Sequence, residues 1–223
     1  MTPSLLFLSC AAVLAWLGLV GIASEVARRL GTDTELTRKI VHIGAGHVIL
    51  IAWWLAIPAA IGIVASVLFS GIALLSYRLP ILPGVNSVGR KSLGTFFYAA
   101  SMGLLMAWFW PLGQPQYAAL GILIMTWGDG LAALVGQRYG QHLYQIWGEK
   151  KSWEGSLTMA AVSFAVGAAV LFNTQGASWQ TWGVAVAVAI AATLLEAISK
   201  LGIDNLTVPL GTAALAFWLN QLL

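Results

Sequence analysis

Eight long apolar runs fill most of this 223-residue chain, and they leave few ways for it to fold. A helix rises about 1.5 Å per residue, so about 20 residues cross a hydrocarbon layer about 30 Å thick. The runs fall at 4–27, 39–56, 58–77, 93–110, 117–136, 156–172, 180–198 and 207–222. Lipid offers no hydrogen bonds to a backbone, which restricts spanning elements to helices and closed barrels. The runs are continuous and lack the period-2 alternation of a barrel strand. The expected fold is therefore an all-α, polytopic integral membrane bundle of about 8 transmembrane helices, between 7 and 9. At Pro58 the sequence allows either two spans or one bent hairpin with almost no turn.

Composition agrees. Hydrophobic residues make up 59% and charged residues 9%, against about 25% charged in soluble domains. One membrane-embedded domain covering 1–223 is expected. The single cysteine, Cys10, excludes an intrachain disulfide framework and a cysteine-based metal site. The opening "MTPSLLFLSC" lacks a basic leader and its run continues past residue 20, which reads as a retained first span.

All 11 Lys and Arg residues lie in or beside alternate connections. Arg28, Arg29, Arg38 and Lys39 flank the first; Arg78, Arg90 and Lys91 lie in the second; Arg138, Lys150 and Lys151 in the third; Lys200 in the last. The intervening connections, around Pro58, at 111–116 and at 173–180, carry none. The positive-inside rule places the basic loops in the cytoplasm and both termini outside. The net charge of +3 suits an anionic leaflet and calls for no nucleic acid partner. The eight acidic residues share the cytoplasmic half. They form either a water-accessible cavity open to the cytoplasm or the mixed charge of ordinary loops.

Asp129 interrupts one of the runs, in "TWGDGLAALVGQRYG" (126–140). A central Asp costs about 3 kcal/mol on insertion scales, and intramembrane carboxylates tend to mark a site or pathway. Asp129 lies about 10 Å deep if the span exits near Gly136. Ala132, Ala133, Gly136 and Gly140 share its face and permit close approach of a helix or a ligand. The flanking Gly128 and Gly130 leave its backbone accessible. The alternative is an Asp paired with an Arg or Lys of another helix for assembly.

Further on, "GEKKSWEGS" sets Lys150, Lys151, Ser152, Glu154, Gly155 and Ser156 before a new span. Cations, hydroxyls and glycines at a helix entrance suit phosphate, although no P-loop pattern is present. Arg90, Lys91 and Ser92 repeat the theme in "NSVGRKSLGTFFY". "LEAISKLGIDNLTVP" supplies Glu196, Asp204 and Asn205, and hard oxygen donors such as these suit Mg²⁺. Arg38 and His42 stand at i and i+4 in "RKIVHIGAGH". His42 suits a phosphate contact or acid–base work, and equally a hydrogen-bonded packing role.

Five of these segments occur in an order that resembles the polyprenol/dolichol kinase and phytol kinase family: "RKIVHIGAG", "GRKSLGTFFY", "GDGLAALVGQRYG", "KKSWEGS" and "EAISKLGIDNLTVP". They extend over roughly 36–212. The resemblance implies an integral membrane kinase that phosphorylates a long-chain isoprenoid alcohol, phytol or a polyprenol, with CTP as donor and Mg²⁺ as cofactor. The core pattern is also similar to phosphatidate cytidylyltransferases. By resemblance Asp129 is the family Asp, and Lys151-Ser152 with Glu154-Gly155-Ser156 is the nucleotide loop. Asp204-Asn205 is the late "DN" pair, where Ile203 stands in place of a frequent first acid.

The mechanism this implies takes Asp129 and Asp204 as Mg²⁺ ligands. Arg90, Lys91, Lys150 and Lys151 neutralise phosphates, and Ser152 and Ser156 donate hydrogen bonds. Gly155 and Asn205 support the nucleotide, with Arg38 and His42 as further contacts to phosphate or substrate. Glu196 or Glu154 accepts the alcohol proton. The lipid alcohol comes from the bilayer and CTP from the cytoplasm. The expected location is a bacterial inner membrane or a thylakoid-type membrane. A CDP-lipid synthase, a CTP-dependent diacylglycerol kinase and a small transporter are the rival functions. A transporter usually carries related halves, and no convincing internal repeat is found.

Overall fold

A computed structural model of the chain describes residues 2–77, 79 and 92–223. Apolar helices dominate it. In chain order they are α1 (Pro3–Arg29), α2 (Thr34–Gly46), α3 (Val48–Trp54), α4 (Ala59–Ser76), α5 (Gly94–Phe109), α6 (Pro115–Tyr139), α7 (Trp153–Gln175), α8 (Trp179–Ala197) and α9 (Asp204–Leu222). Five of them, α1, α4, α6, α7 and α8, are long and apolar enough to cross a membrane on their own. The chain is a polytopic helical membrane protein.

Each of the eight apolar runs coincides with a helix or, in one case, with a broken pair. The second run becomes α2 and α3, which meet at His47. The His47 ring nitrogen Nδ1 lies 2.8 Å from the Ile43 carbonyl. The His47 amide donates instead to Gly44, at 3.2 Å. A side chain inserted into the hydrogen-bond ladder is a recognised cause of a kink. At Pro58 the chain divides: Ala56 adopts φ 50°, Pro58 caps α4, and Trp110 Nε1 donates to the Ile57 carbonyl at 2.9 Å.

Helix ends follow local chemistry. Thr2 caps α1, Asp33 caps α2, Ser152 caps α7 and Ser178 caps α8, each through a side-chain oxygen that accepts a first-turn amide. Arg28 and Arg29 end α1, where cations suit the helix dipole.

α6 is the hub. In its most apolar stretch 67% of residues are buried, against 11% in α1. Leu120, Ile122, Ile124 and Met125 of α6 are fully enclosed. Small residues let its neighbours close in. At Gly121 any side chain would strike the Pro209 carbonyl of α9, and at Gly128 it would meet Met159 of α7. α1 lies at the edge, against α2 and α3.

The all-α expectation needs one correction. Residues 143–152 form an antiparallel hairpin, β1 (Leu143–Ile146) with β2 (Glu149–Ser152). Ile146 pairs with Glu149 across a two-residue loop, Trp147 at φ 49° and Gly148 at φ 87°. Two positive φ values in a two-residue loop match the strand twist. The hairpin leads straight into α7 and so fixes where Lys151 and Ser152 point.

Candidate active site

The site begins with a local irregularity in α6. Residues Ile124–Asp129 form a π-helical turn inside the longer helix, and π-turns of this kind recur at functional sites. α2 packs closely beside it: a side chain at Gly46 would collide with Thr126. Tyr98 of α5 donates to the His42 carbonyl at 3.0 Å, and its hydroxyl lies 3.4 Å from that of Thr126. α2, α5 and α6 are thereby tied together around Asp129.

Asp129 is partnered. Lys39 Nζ of α2 stands 2.7 Å from Asp129 Oδ2 and 3.3 Å from the Asp129 carbonyl. The Lys39 side chain is only 2% exposed. His42 Nε2 is 3.4 Å from the same Oδ2, too poorly aligned for a hydrogen bond. The two flanking glycines are filled by other helices, with Ile43 close to Gly130 and Met159 close to Gly128. This corrects the expectation of open backbone around the carboxylate. The small stripe likewise receives a helix entrance: Gly136 and Gly140 pack on Ser152, and Gly136 on Gly155.

A second pair lies at the end of α8. Lys151 Nζ is 2.5 Å from Glu196 Oε1 and also donates to the Glu196 carbonyl. Both side chains are about 15% exposed. Asp204, at the start of α9, links the pairs, for its carboxylate lies within electrostatic reach of Asp129, Lys39 and Lys151. Its Oδ1 accepts from the Asn205 amide and side chain, both at 3.0 Å, and it forms no ion pair among the described residues. Arg38 is held by Glu35 at 2.5 Å and lies in the field of both Asp129 and Asp204.

Sequence expectations thus separate into two groups. Asp129, Asp204, Asn205, Arg38, His42, Lys151 and Glu196 come together. Others are engaged on the hairpin side. Glu154 receives the His142 amide at 3.2 Å and stands 2.6 Å from His142 Nδ1. Ser156 pairs with the Tyr144 hydroxyl at 2.6 Å. Ser152 Oγ accepts the Gly155 amide as the cap of α7, and Lys150 is exposed on β2. Arg90 and Lys91 lie outside the described residues. Their neighbours at 92–94 are held by the turn before α9: the Leu93 amide donates to Leu201, and Gly94 touches Gly202.

Lys39 is the residue that sequence reasoning passed over. It counted there as one topological charge among four near the first loop. Its one signal was position, three residues after Leu36 and four before Ile43, inside an apolar stripe of α2.

Among the described residues no three His, Cys, Asp or Glu side chains gather as a metal cage. Asp129 and Asp204 nevertheless fit Mg²⁺, which binds through one or two carboxylates and completes its shell with water and substrate phosphates. Asp204, with no cation paired to it among the described residues, is the carboxylate with capacity to spare.

The chain is similar to curated proteins along most of its length. It is 58% identical over 203 residues to "Phytol kinase" of Synechocystis sp. (strain ATCC 27184 / PCC 6803 / Kazusa), covering 91% of this chain and 87% of that one. It is 32% identical over 213 residues to "Probable phytol kinase 1, chloroplastic" of Oryza sativa subsp. japonica, covering 86% and 67%. It is 28% identical over 216 residues to "Phytol kinase 1, chloroplastic" of Arabidopsis thaliana, covering 86% and 69%. No family model matches, and no solved structure matches.

Proposed function

The chain belongs to the phytol kinase family, and from that footing we propose that it transfers the γ-phosphoryl group of CTP to phytol or a closely similar isoprenoid alcohol. The observation that carries the site assignment is the convergence of Lys39–Asp129, Asp204 and Lys151–Glu196 from five separate segments. Phosphoryl transfer chiefly requires in-line positioning and neutralisation of charge on the phosphate oxygens. A cluster of alternating sign serves both ends.

The eight apolar segments act as eight spans of one membrane-embedded unit. The basic loops face the cytoplasm and both termini lie on the other side. The site then sits beneath the cytoplasmic surface, where a lipid hydroxyl and a water-borne nucleotide both reach it. The membrane is of the bacterial inner or thylakoid type.

Lys151, with Arg90, Lys91 and Lys150 as outer contributors, holds the triphosphate. Arg38 and His42 approach it from α2. Asp129 and Asp204 would hold Mg²⁺, with Asn205 steadying Asp204, and the ion would supply charge neutralisation to the donor phosphates. The alcohol oxygen attacks the γ-phosphorus, a new P–O bond forms, and the bond to the β,γ-bridging oxygen breaks to release CDP. The alcohol proton passes to a carboxylate. Glu196 suits this better than Glu154, because it shares the cluster with Lys151 while Glu154 is engaged by His142.

The test is purified protein with CTP labelled either at the γ-phosphate or in the cytidine, offered phytol, farnesol, polyprenols and diacylglycerol. The reading expects γ-label on phytol and free CDP. Cytidine on the lipid would identify a CDP-lipid synthase instead, and preference for diacylglycerol would change the acceptor.

A further inference from the structure

An apolar groove lies between α1, α2 and α6, with Lys39 in its lining. Its volume is about 520 Å³, within the range of small-molecule sites, about 300–1,000 Å³. α1 contributes Trp16, Leu19 and Ala23, a stripe at helical spacing. α2 contributes a matching stripe that runs from Leu36 to His47, and α6 adds Trp127 and Leu134.

Two of the polar groups along it are engaged within the protein. Trp16 Nε1 donates to the Gly44 carbonyl at 2.7 Å, and His47 Nδ1 is 2.8 Å from the Ile43 carbonyl. The His47 ring stands between the rings of Trp16, at 5.8 Å, and Trp127, at 5.6 Å, which makes an aromatic floor. Lys39 joins the groove to the charged cluster. Its side chain lines the groove, yet its ammonium is turned onto Asp129. A lysine can lay its aliphatic stem along apolar surface while its charged end is held elsewhere.

We propose that this groove holds the first isoprene units of the alcohol's tail, with the hydroxyl end at Lys39 and Asp129. The inference rests on the kinase reading and adds to it the place where the acceptor is recognised. Continuity with the catalytic cluster favours this occupant, because one residue, Lys39, forms part of both. The geometry also gives a direction. From Lys39 to His47 the helix runs about 12 Å deeper into the membrane. A tail entering at Lys39 follows that line, and the remainder of a longer chain continues into lipid. Branching methyl groups fill a groove walled by Trp16, Leu19 and Trp127 better than a straight acyl chain does.

Two experiments test it. In the first, Ala23→Trp on α1 and Leu134→Trp on α6 each fill the groove from a different wall. The expected result is a KM for phytol raised about tenfold or more, the scale on which a pocket discriminates small apolar changes, with the KM for CTP unchanged. Unchanged phytol KM in both variants overturns the proposal while leaving the kinase reading intact. A wild-type protein that phosphorylates no isoprenoid alcohol refutes the kinase reading instead, and this one with it.

The second experiment needs no variant. A phytol analogue with a diazirine near its hydroxyl end is photolysed with wild-type protein in lipid vesicles. Labelling is expected on 16–23 of α1 and 36–47 of α2, and excess phytol is expected to suppress it. Label that spreads equally onto α4, or that excess phytol leaves undiminished, means the groove is an ordinary lipid crevice and overturns the proposal.

Discussion

Lys39 Nζ and Asp129 Oδ2 lie 2.7 Å apart, joining two helices whose partners are 90 residues distant in sequence. A pair this well enclosed is expensive to break and contributes little net stability when intact. Removing one partner strands the other's charge, at about 3–5 kcal/mol. Lys39→Met is therefore expected to lower the thermal midpoint in detergent sharply. The double variant Lys39→Met/Asp129→Leu is expected to recover most of that loss and to remain inactive. Recovered activity in the double variant would assign the pair to assembly alone.

Lys151 presents a different balance. It is tied to Glu196 through both side chain and carbonyl, at the mouth of the cluster. Lys151→Ala is expected to raise the KM for CTP about tenfold or more, the worth of one charge-assisted phosphate contact, and to move the KM for phytol much less. Equal changes in both would point to a general loss of structure.

The hairpin that carries Lys151 depends on its loop. Gly148 at φ 87° accepts a side chain only with strain, whereas Trp147 at φ 49° occupies a position that Asn fills readily. Gly148→Val is expected to cost about 1–2 kcal/mol and to reduce nucleotide affinity. Trp147→Asn is expected to keep or improve stability. Circular dichroism melts with CTP titrations check both.

Topology can be read with single cysteines in a Cys10→Ser background. Ala177→Cys, in the loop between α7 and α8, is expected to react with an impermeant maleimide from outside. Lys150→Cys, on the exposed face of β2, is expected to react only after the membrane is opened. The reverse pattern would invert the orientation.

Much of this was legible in the chain. Helix positions followed from continuous apolar runs, because lipid leaves the backbone no alternative. Asp129 announced itself as a carboxylate inside such a run. Its pairing with a cation of another helix was one of two open readings, and the structure contains that pair together with Asp204 and Lys151–Glu196. What could not be read was the identity of the partner. Lys39 looks like any basic residue at a membrane edge, and only tertiary packing shows it buried. The hairpin was hidden for another reason. "LYQIWGEKKS" is short, rich in charge and turns on Trp-Gly rather than Asn-Gly, so neither its period nor its turn stands out. Glu154 and Ser156 resembled nucleotide contacts by position, and their actual partners, His142 and Tyr144, became neighbours only once that hairpin folded.

The most direct test is the turnover of γ-labelled CTP with phytol by Asp129→Asn and Asp204→Asn, each first verified as folded in the membrane. Asn keeps the size and can still accept from Lys39 at position 129, which offsets part of the cost of stranding that buried charge. The account predicts that both variants lose about 10²–10³-fold in kcat, the scale of a removed electrostatic contact to the transition state. Near-normal turnover in either one would contradict the placement of phosphoryl transfer at this cluster.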